Sequence, residues 1–314
     1  MGGYAAIRFA EALGAETAIA ISPQYSIERR LVPFENRWNA LFENSAKIRP
    51  QGPHGSGRVR PIVFYDPRGL GFLHFRLSLA NYPRTVGVAM PHSGHPAGAM
   101  LNETGVLTRV LEDIVADCFD ADAIAATVRS KRRLSGQYLF TLARRLGPWH
   151  AAWKLSLAEA ALDARREAPY LIYSAFLYEK KGDAKASETL LREAMAVLPD
   201  HPVTLRALAA FYLRAGRADA AVDYATSLCG VDPQERHMRL LAAALADAGR
   251  PGDARAAARR TSSLLLKASL SRPVAWRSGL LRHWRTRPFG LEAQFDLVDE
   301  WRHRKRARLK RKPA

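Results

Sequence analysis

Glycine, proline, tyrosine and alanine recur in this chain at one spacing, 34 residues. Gly182 is followed by Gly216, Pro199 by Pro233, Tyr178 by Tyr212, and Ala175 by Ala209 and Ala243; Asp219 and Asp253 keep the same step. Generic alanine-rich helices would not hold four residue types in phase. The period fits a helix-turn-helix unit that cannot bury its apolar face alone and must stack on copies of itself. Each repeated residue has a mechanical task. The small residue lets two helices approach, the glycine lets the chain turn between them, and the proline stops the second helix before the next unit.

These residues resemble the tetratricopeptide repeat family over about 169–266, with two regular repeats and a degenerate third. In the third, Gly249 comes one residue early, and Lys267 stands where a proline would continue the series. The resemblance implies a concave surface for a protein or peptide ligand. It leaves the ligand unspecified.

The first third reads differently. Short apolar runs at 17–21, 61–65 and 85–90 predict buried strands, and helical patterns at 2–14 and 72–82 fall between them. Strands alternating with helices predict a parallel sheet. From about Leu101 the pattern is helical, through 106–119, 134–146 and 149–166. The basic stretch Arg129-Ser130-Lys131-Arg132-Arg133 reads as the solvated face of a linker.

The opening Met1-Gly2-Gly3-Tyr4-Ala5-Ala6 is similar to the segment that follows the nucleophilic serine of α/β-hydrolases. The resemblance covers about 1–117. It implies the second half of that fold, with Met1 at the oxyanion-hole position and the serine immediately before Met1, outside this sequence. It further implies a triad histidine after the last strand, met by His95, and an acid after the preceding one. Asp66 is that acid or an Asp-Pro turn former. Ser22-Pro23-Gln24 with Ile27, Arg37-Trp38, Tyr65-Asp66-Pro67 and Gly94-His95-Pro96 also resemble a bacterial group in which a hydrolase-like domain precedes tetratricopeptide repeats.

The expected fold class is therefore α/β followed by all-α. A partial, parallel-sheet α/β-hydrolase-like remnant is joined to a tetratricopeptide-type array. The expected segments are 1–117 for the remnant, 118–168 for a linker and helical connection, 169–266 for the repeats, and 267–314 for a capping helix and basic tail.

The expected function is protein interaction, without catalysis by the chain as written. The alternatives are a serine hydrolase with an upstream extension, and a basic adaptor for nucleic acid or another polyanion. Ser22 is not expected to replace the nucleophile, because it ends a strand without the strained elbow turn.

Charge and composition bound the rest. The net charge is +18 and the pI about 10.4, which predicts attraction to polyanions, above all through the acid-free run Arg302 to Lys312. Trp276, Trp284, Phe289, Phe295 and Trp301 punctuate the segment before it and either pack a capping helix or stack on bases. Cys118 and Cys229 form no metal-binding or disulfide pattern. His92 and His95, three apart, lack a third ligand, and His74 reads as a packing residue. Gly52 to Gly57 lacks the lysine of a phosphate loop. No cofactor or metal is expected. No apolar run is long enough to cross a membrane, and a cytoplasmic protein is expected.

Overall fold

The computed structural model describes residues 2–26, 28, 30–35 and 57–269, of which 261–269 are described as backbone alone. Expectations about Met1, Ile27, Arg37-Trp38, residues 52–56, the C-terminal aromatics and the basic tail fall outside these residues. The chain divides into two compact units, one reaching Arg165 and the other starting at Arg166.

The first unit is a three-stranded parallel sheet with helices on both faces. Helix α1 (Gly2–Phe9) leads into β1 (Thr17–Ile21), then β2 (Arg60–Tyr65), α2 (Leu70–Asn81) and β3 (Val86–Ala89). The strand order is β1-β2-β3, with Ile19 opposite Ile62 and Ile62 opposite Val86. Alternation along the central strand sets the two layers. Ile62 and Phe64 point to one face, where Val88, Met90, Met100, Leu101, Val110, Ile124 and Val128 complete the core. Val63 and Tyr65 point to the other, against Ile7, Ala20 and Tyr82. Ile62, Val63 and Phe64 are wholly buried. A strand covered on both faces reads as the continuous apolar run found at 61–65, and burying each such side chain contributes about 1.5–3 kcal/mol.

Two features depart from the expected pattern. Helix α1 stops at Phe9, and residues 10–14 form a turn that ends at Gly14 with φ +68°. Leu13 is 81% exposed and Phe9 48%, so no core holds a third helical turn. The basic segment read as a linker face is a helix over 121–131, ahead of the two helices that the patterns at 134–146 and 149–166 predict. After α3 (Gly98–Glu103) and α4 (Leu107–Val115) come α5 (Ala121–Lys131), α6 (Gly136–Arg145) and α7 (Ala151–Ala164). Asp120 caps α5 by accepting from the Asp122 and Ala123 amides. Ile124 and Val128, one turn apart, join the sheet core, while Arg129, Lys131 and Arg133 are exposed. The basic face is solvated, and the opposite face makes this stretch part of the first unit.

The second unit is a stack of helix pairs: α8 (Ala168–Lys181) with α9 (Ala184–Val197), α10 (Pro202–Arg214) with α11 (Ala218–Val231), and α12 (Glu235–Asp247) with α13 (Pro251–Ser269). Each first helix ends at a glycine in the left-handed region: Gly182 (φ +93°), Gly216 (φ +70°) and Gly249 (φ +70°). There the next amide bonds back across the turn, as Asp183 to the Tyr178 carbonyl and Arg217 to that of Tyr212. Pro199 and Pro233 stand two residues beyond the ends of α9 and α11. First helices of successive pairs touch each other, α8 with α10 and α10 with α12.

Ala175 and Ala209 are wholly buried. In the third pair the register slips. Ala243 is exposed, and the wholly buried alanine is its neighbour Ala244. The buried stripe of α12 runs through His237, Leu240 and Ala244. Ala243, next to Ala244, is turned about 100° around the helix from that stripe.

Candidate functional site

Two regions gather residues that the sequence singled out: the C-terminal edge of the sheet, where ligands of open parallel sheets usually bind, and the layer of first helices in the array.

At the sheet edge, Asp66 follows β2 and is 4% exposed. Its carboxylate is committed locally. Oδ1 accepts from the amides of Arg68 (2.9 Å) and His92 (3.2 Å), and Oδ2 from the amide of Gly94 (2.9 Å). Arg145 from α6 closes the set, with Nη2 2.9 Å from Oδ2 and Nη1 3.3 Å from Oδ1. His95 lies exposed on the same loop, ahead of a cis bond to Pro96. Asp66 thus ties the turn after β2, the loop after β3 and helix α6 together.

The loop after β3 is tightly built. His92 (φ +64°) and Gly94 (φ +67°) both adopt left-handed backbone, and Gln137 Nε2 donates to the Ser93 carbonyl at 2.8 Å. A Cβ on Gly94 would come within 2.8 Å of Gln137 Nε2 and Thr141 Oγ1, so only glycine fits. Arg145 Nη1 lies 3.3 Å from His92 Nδ1. The cation donates, so Nδ1 accepts and the ring proton sits on Nε2. Burial first, and the Arg145 charge second, push the His92 pKa below the ordinary histidine value.

Ser22 directly follows β1 with φ +50°, and its Oγ accepts from the Ala97 amide at 2.9 Å. The sequence reads as a strand end without the strained elbow turn. The left-handed backbone corrects that, and the hydroxyl is tied to the same post-β3 loop.

In the array, Glu188 of α9 joins the first pair to the second. It accepts from the Tyr212 hydroxyl (3.0 Å) and takes both Arg217 Nη atoms (2.7 and 3.1 Å). Arg217 also lies over the Tyr212 ring at 4.3 Å, and that ring stacks on Tyr224. Hydrogen bonding from Arg217 above all, with a further contribution from Tyr212, lowers the Glu188 pKa. A depressed carboxylate stabilises the fold above its unfolded-state pKa, and that stabilisation is lost as pH falls through the folded-state value. Stability of the second unit should therefore decline below about pH 4.5, the ordinary value for this group. Glu188→Gln should flatten part of that decline in hydrogen exchange of α9–α11 measured against pH. An unchanged slope would remove Glu188 from the acid response.

The layer of first helices presents basic groups. Arg206 of α10 makes no salt bridge among the described residues. Burial, and then repulsion from Arg236 of α12, lower its pKa, while Asp232 opposes them. Arg236 itself donates to His237 Nε2 at 3.2 Å, and His237 Nδ1 meets the Asp232 carbonyl at 2.8 Å. The repeat spacing gave no sign of Arg206. A cation at the middle of an otherwise apolar helix, Val203 to Leu213, was the available signal.

Among the described residues, no group of three or more histidine, cysteine, aspartate or glutamate side chains could hold a metal ion. No described helix is long and apolar enough to cross a membrane.

No family model matches the chain, and no curated protein matches it. Among solved structures, the chain is similar to MamA MSR-1 with 16% identity and a TM-score of 0.38, over 55% of this chain and 95% of that one. It is also similar to MamA AMB-1 with 18% identity and a TM-score of 0.37, over 56% and 91%.

Proposed function

We propose that the second unit is a tetratricopeptide-type array that binds an acidic protein segment on its first-helix layer. The supporting observation is the middle pair. Leu205, Leu208, Ala209, Tyr212, Ala221, Ala225 and Pro233 have the spacing of that repeat, and the first six are all buried. On the first helices, half-buried Arg206 of α10 and exposed Arg236 of α12 set the charge offered to a ligand. Two neighbouring cations that repel each other, one of them half-buried, are stabilised by a carboxylate laid between them.

The first unit is read as an α/β-hydrolase-like remnant. Its strands run in sequential order and all parallel, with α1 ahead of the first, which supports that reading. Asp66 is directed to backbone amides and Arg145, which favours a loop-holding role for it over that of triad acid.

Labelled peptides of matched length, one acidic and one neutral, titrated into the full chain by fluorescence anisotropy test the binding function. The acidic peptide should bind more tightly and lose affinity with salt. Arg206→Gln should weaken it about tenfold, the effect of one charge-assisted hydrogen bond. Equal binding of both peptides, or no effect of Arg206→Gln, would reject this surface as the docking site.

A further inference from the structure

Helices α6 and α7 pack as a hairpin, and its tip differs from the three hairpin tips of the array. Those three carry exposed charge: Lys181 and Asp183, Arg214 and Arg217, Asp247 and Arg250. Between α6 and α7 the chain reads Gly147-Pro148-Trp149-His150-Ala151-Ala152-Trp153, without an acid, a lysine or an arginine. Pro148, Trp149, Ala151, Ala152 and Trp153 are all exposed, the two indoles to 81% and 66%.

Neither indole belongs to the cores of the first unit. Single apolar residues at a surface are ordinary, whereas a contiguous apolar patch marks an interaction site. The rings are held in place. A Cβ on Gly147 would come within 2.6 Å of the Trp149 ring, so that indole lies on the glycine. His150 meets Trp149 edge-on with ring centroids 6.1 Å apart and stacks on Trp153 at 5.4 Å.

The surroundings are basic. Arg144 and Arg145 end α6, and Lys154 lies in the first turn of α7. Asp66 offsets the charge of Arg145, but from Ala123 to Ala158 the sequence holds seven arginines and lysines and no acid. Exposed indoles flanked by cations match the boundary of an anionic lipid bilayer, where tryptophan settles at headgroup level and basic side chains meet lipid phosphates. Other partners fit less well. Stacking on nucleic-acid bases needs open ring faces, and here Gly147 covers one face of Trp149 and His150 one face of Trp153. A second copy laid tip to tip would set the same acid-free patch against itself and bring like charges together.

We propose that the α6–α7 tip docks the protein on the surface of an anionic lipid bilayer, with Trp149 and Trp153 in the headgroup region and the neighbouring cations on the lipid phosphates. The contact is peripheral and requires no spanning helix.

Cosedimentation of the full chain with lipid vesicles tests this. Vesicles of phosphatidylcholine mixed with phosphatidylserine should bind the chain, and vesicles of phosphatidylcholine alone should bind it more weakly. Trp149→Ser combined with Trp153→Ser should lower affinity for the mixed vesicles about tenfold or more, as loss of even one large buried apolar side chain implies. The same variant should bind a single-stranded oligonucleotide as the wild type does, because that attraction rests on net charge. Ala151→Asp combined with Ala152→Asp puts carboxylates at exposed positions of the tip and should also weaken vesicle binding with the indoles intact. It decides the matter if the serine pair fails to fold. Absence of mixed-vesicle binding in the wild type, or unchanged binding in either folded variant, would overturn the proposal. Loss of oligonucleotide binding in the serine pair with vesicle binding intact would assign the rings to bases and overturn it as well. So would a wild-type chain that self-associates without lipid in sedimentation velocity while the serine pair stays monomeric, since the tip would then be a contact between copies.

Discussion

Asp66→Ala should destabilise the first unit by about 3–5 kcal/mol, the usual cost of removing one partner of a buried ion pair. The carboxylate is 4% exposed and joins three segments far apart in sequence. Its removal leaves the amides of Arg68, His92 and Gly94 without their acceptor and the Arg145 guanidinium without its counter-charge. Two of those amides belong to residues in left-handed backbone, a conformation that persists only where surrounding bonds enforce it. Asp66→Asn keeps an acceptor oxygen and loses the charge, so its effect should be intermediate. The chain has two units, and a single melting curve would mix them. Hydrogen exchange in β2 and β3 reads the local effect directly, and protection there should collapse in the alanine variant. Wild-type protection in Asp66→Ala would mean that the loop after β3 holds itself and that the carboxylate is free for another task.

That prediction rests on a contact no sequence pattern displays. Asp66 and Arg145 are 79 residues apart, and the arginine pair at the end of an amphipathic helix gives no hint of which partner either one takes. What the sequence displays is periodicity. Residues 61–65 show their strand because burial on both faces demands an unbroken apolar run, and 17–21 and 85–90 show theirs as shorter, half-buried runs on either side of it. Gly182 and Gly216 show their turns because few other residues take left-handed backbone without strain. The helix between Asp120 and Arg132 was not legible because its exposed face carries the basic residues. Its buried face is only Ile124 and Val128, too sparse a signal to outweigh the charge. His95 was selected by its place in chain order. The structure keeps it on the expected loop, and the bonds that the Asp66 carboxylate makes to backbone amides and Arg145 are ones that spacing cannot encode.

In the helical array the decisive position is Ala209, and Ala209→Leu should cost about 1–3 kcal/mol, the usual penalty for overpacking a filled core. Ala209 is wholly buried in a cluster with Leu205, Ala225, Leu228 and Leu240. Those residues come from α10, α11 and α12, so one methyl group sits where both the hairpin and the stack close. Ala225 and Leu228 are themselves wholly buried, and none can swing into solvent to make room. The added bulk must push α11 or α12 outward, which should lower exchange protection in both helices together. The third pair supplies the control. A strict 34-residue step places Ala243 at the close approach, yet Ala243 is exposed and Ala244 is buried. Ala244→Leu should therefore be as damaging as Ala209→Leu, while Ala243→Leu should stay within about 0.5 kcal/mol of wild type, as surface substitutions do. The reverse order, with Ala243→Leu disruptive and Ala244→Leu silent, would show that the sequence period sets the packing and that the register of α12 described here is wrong.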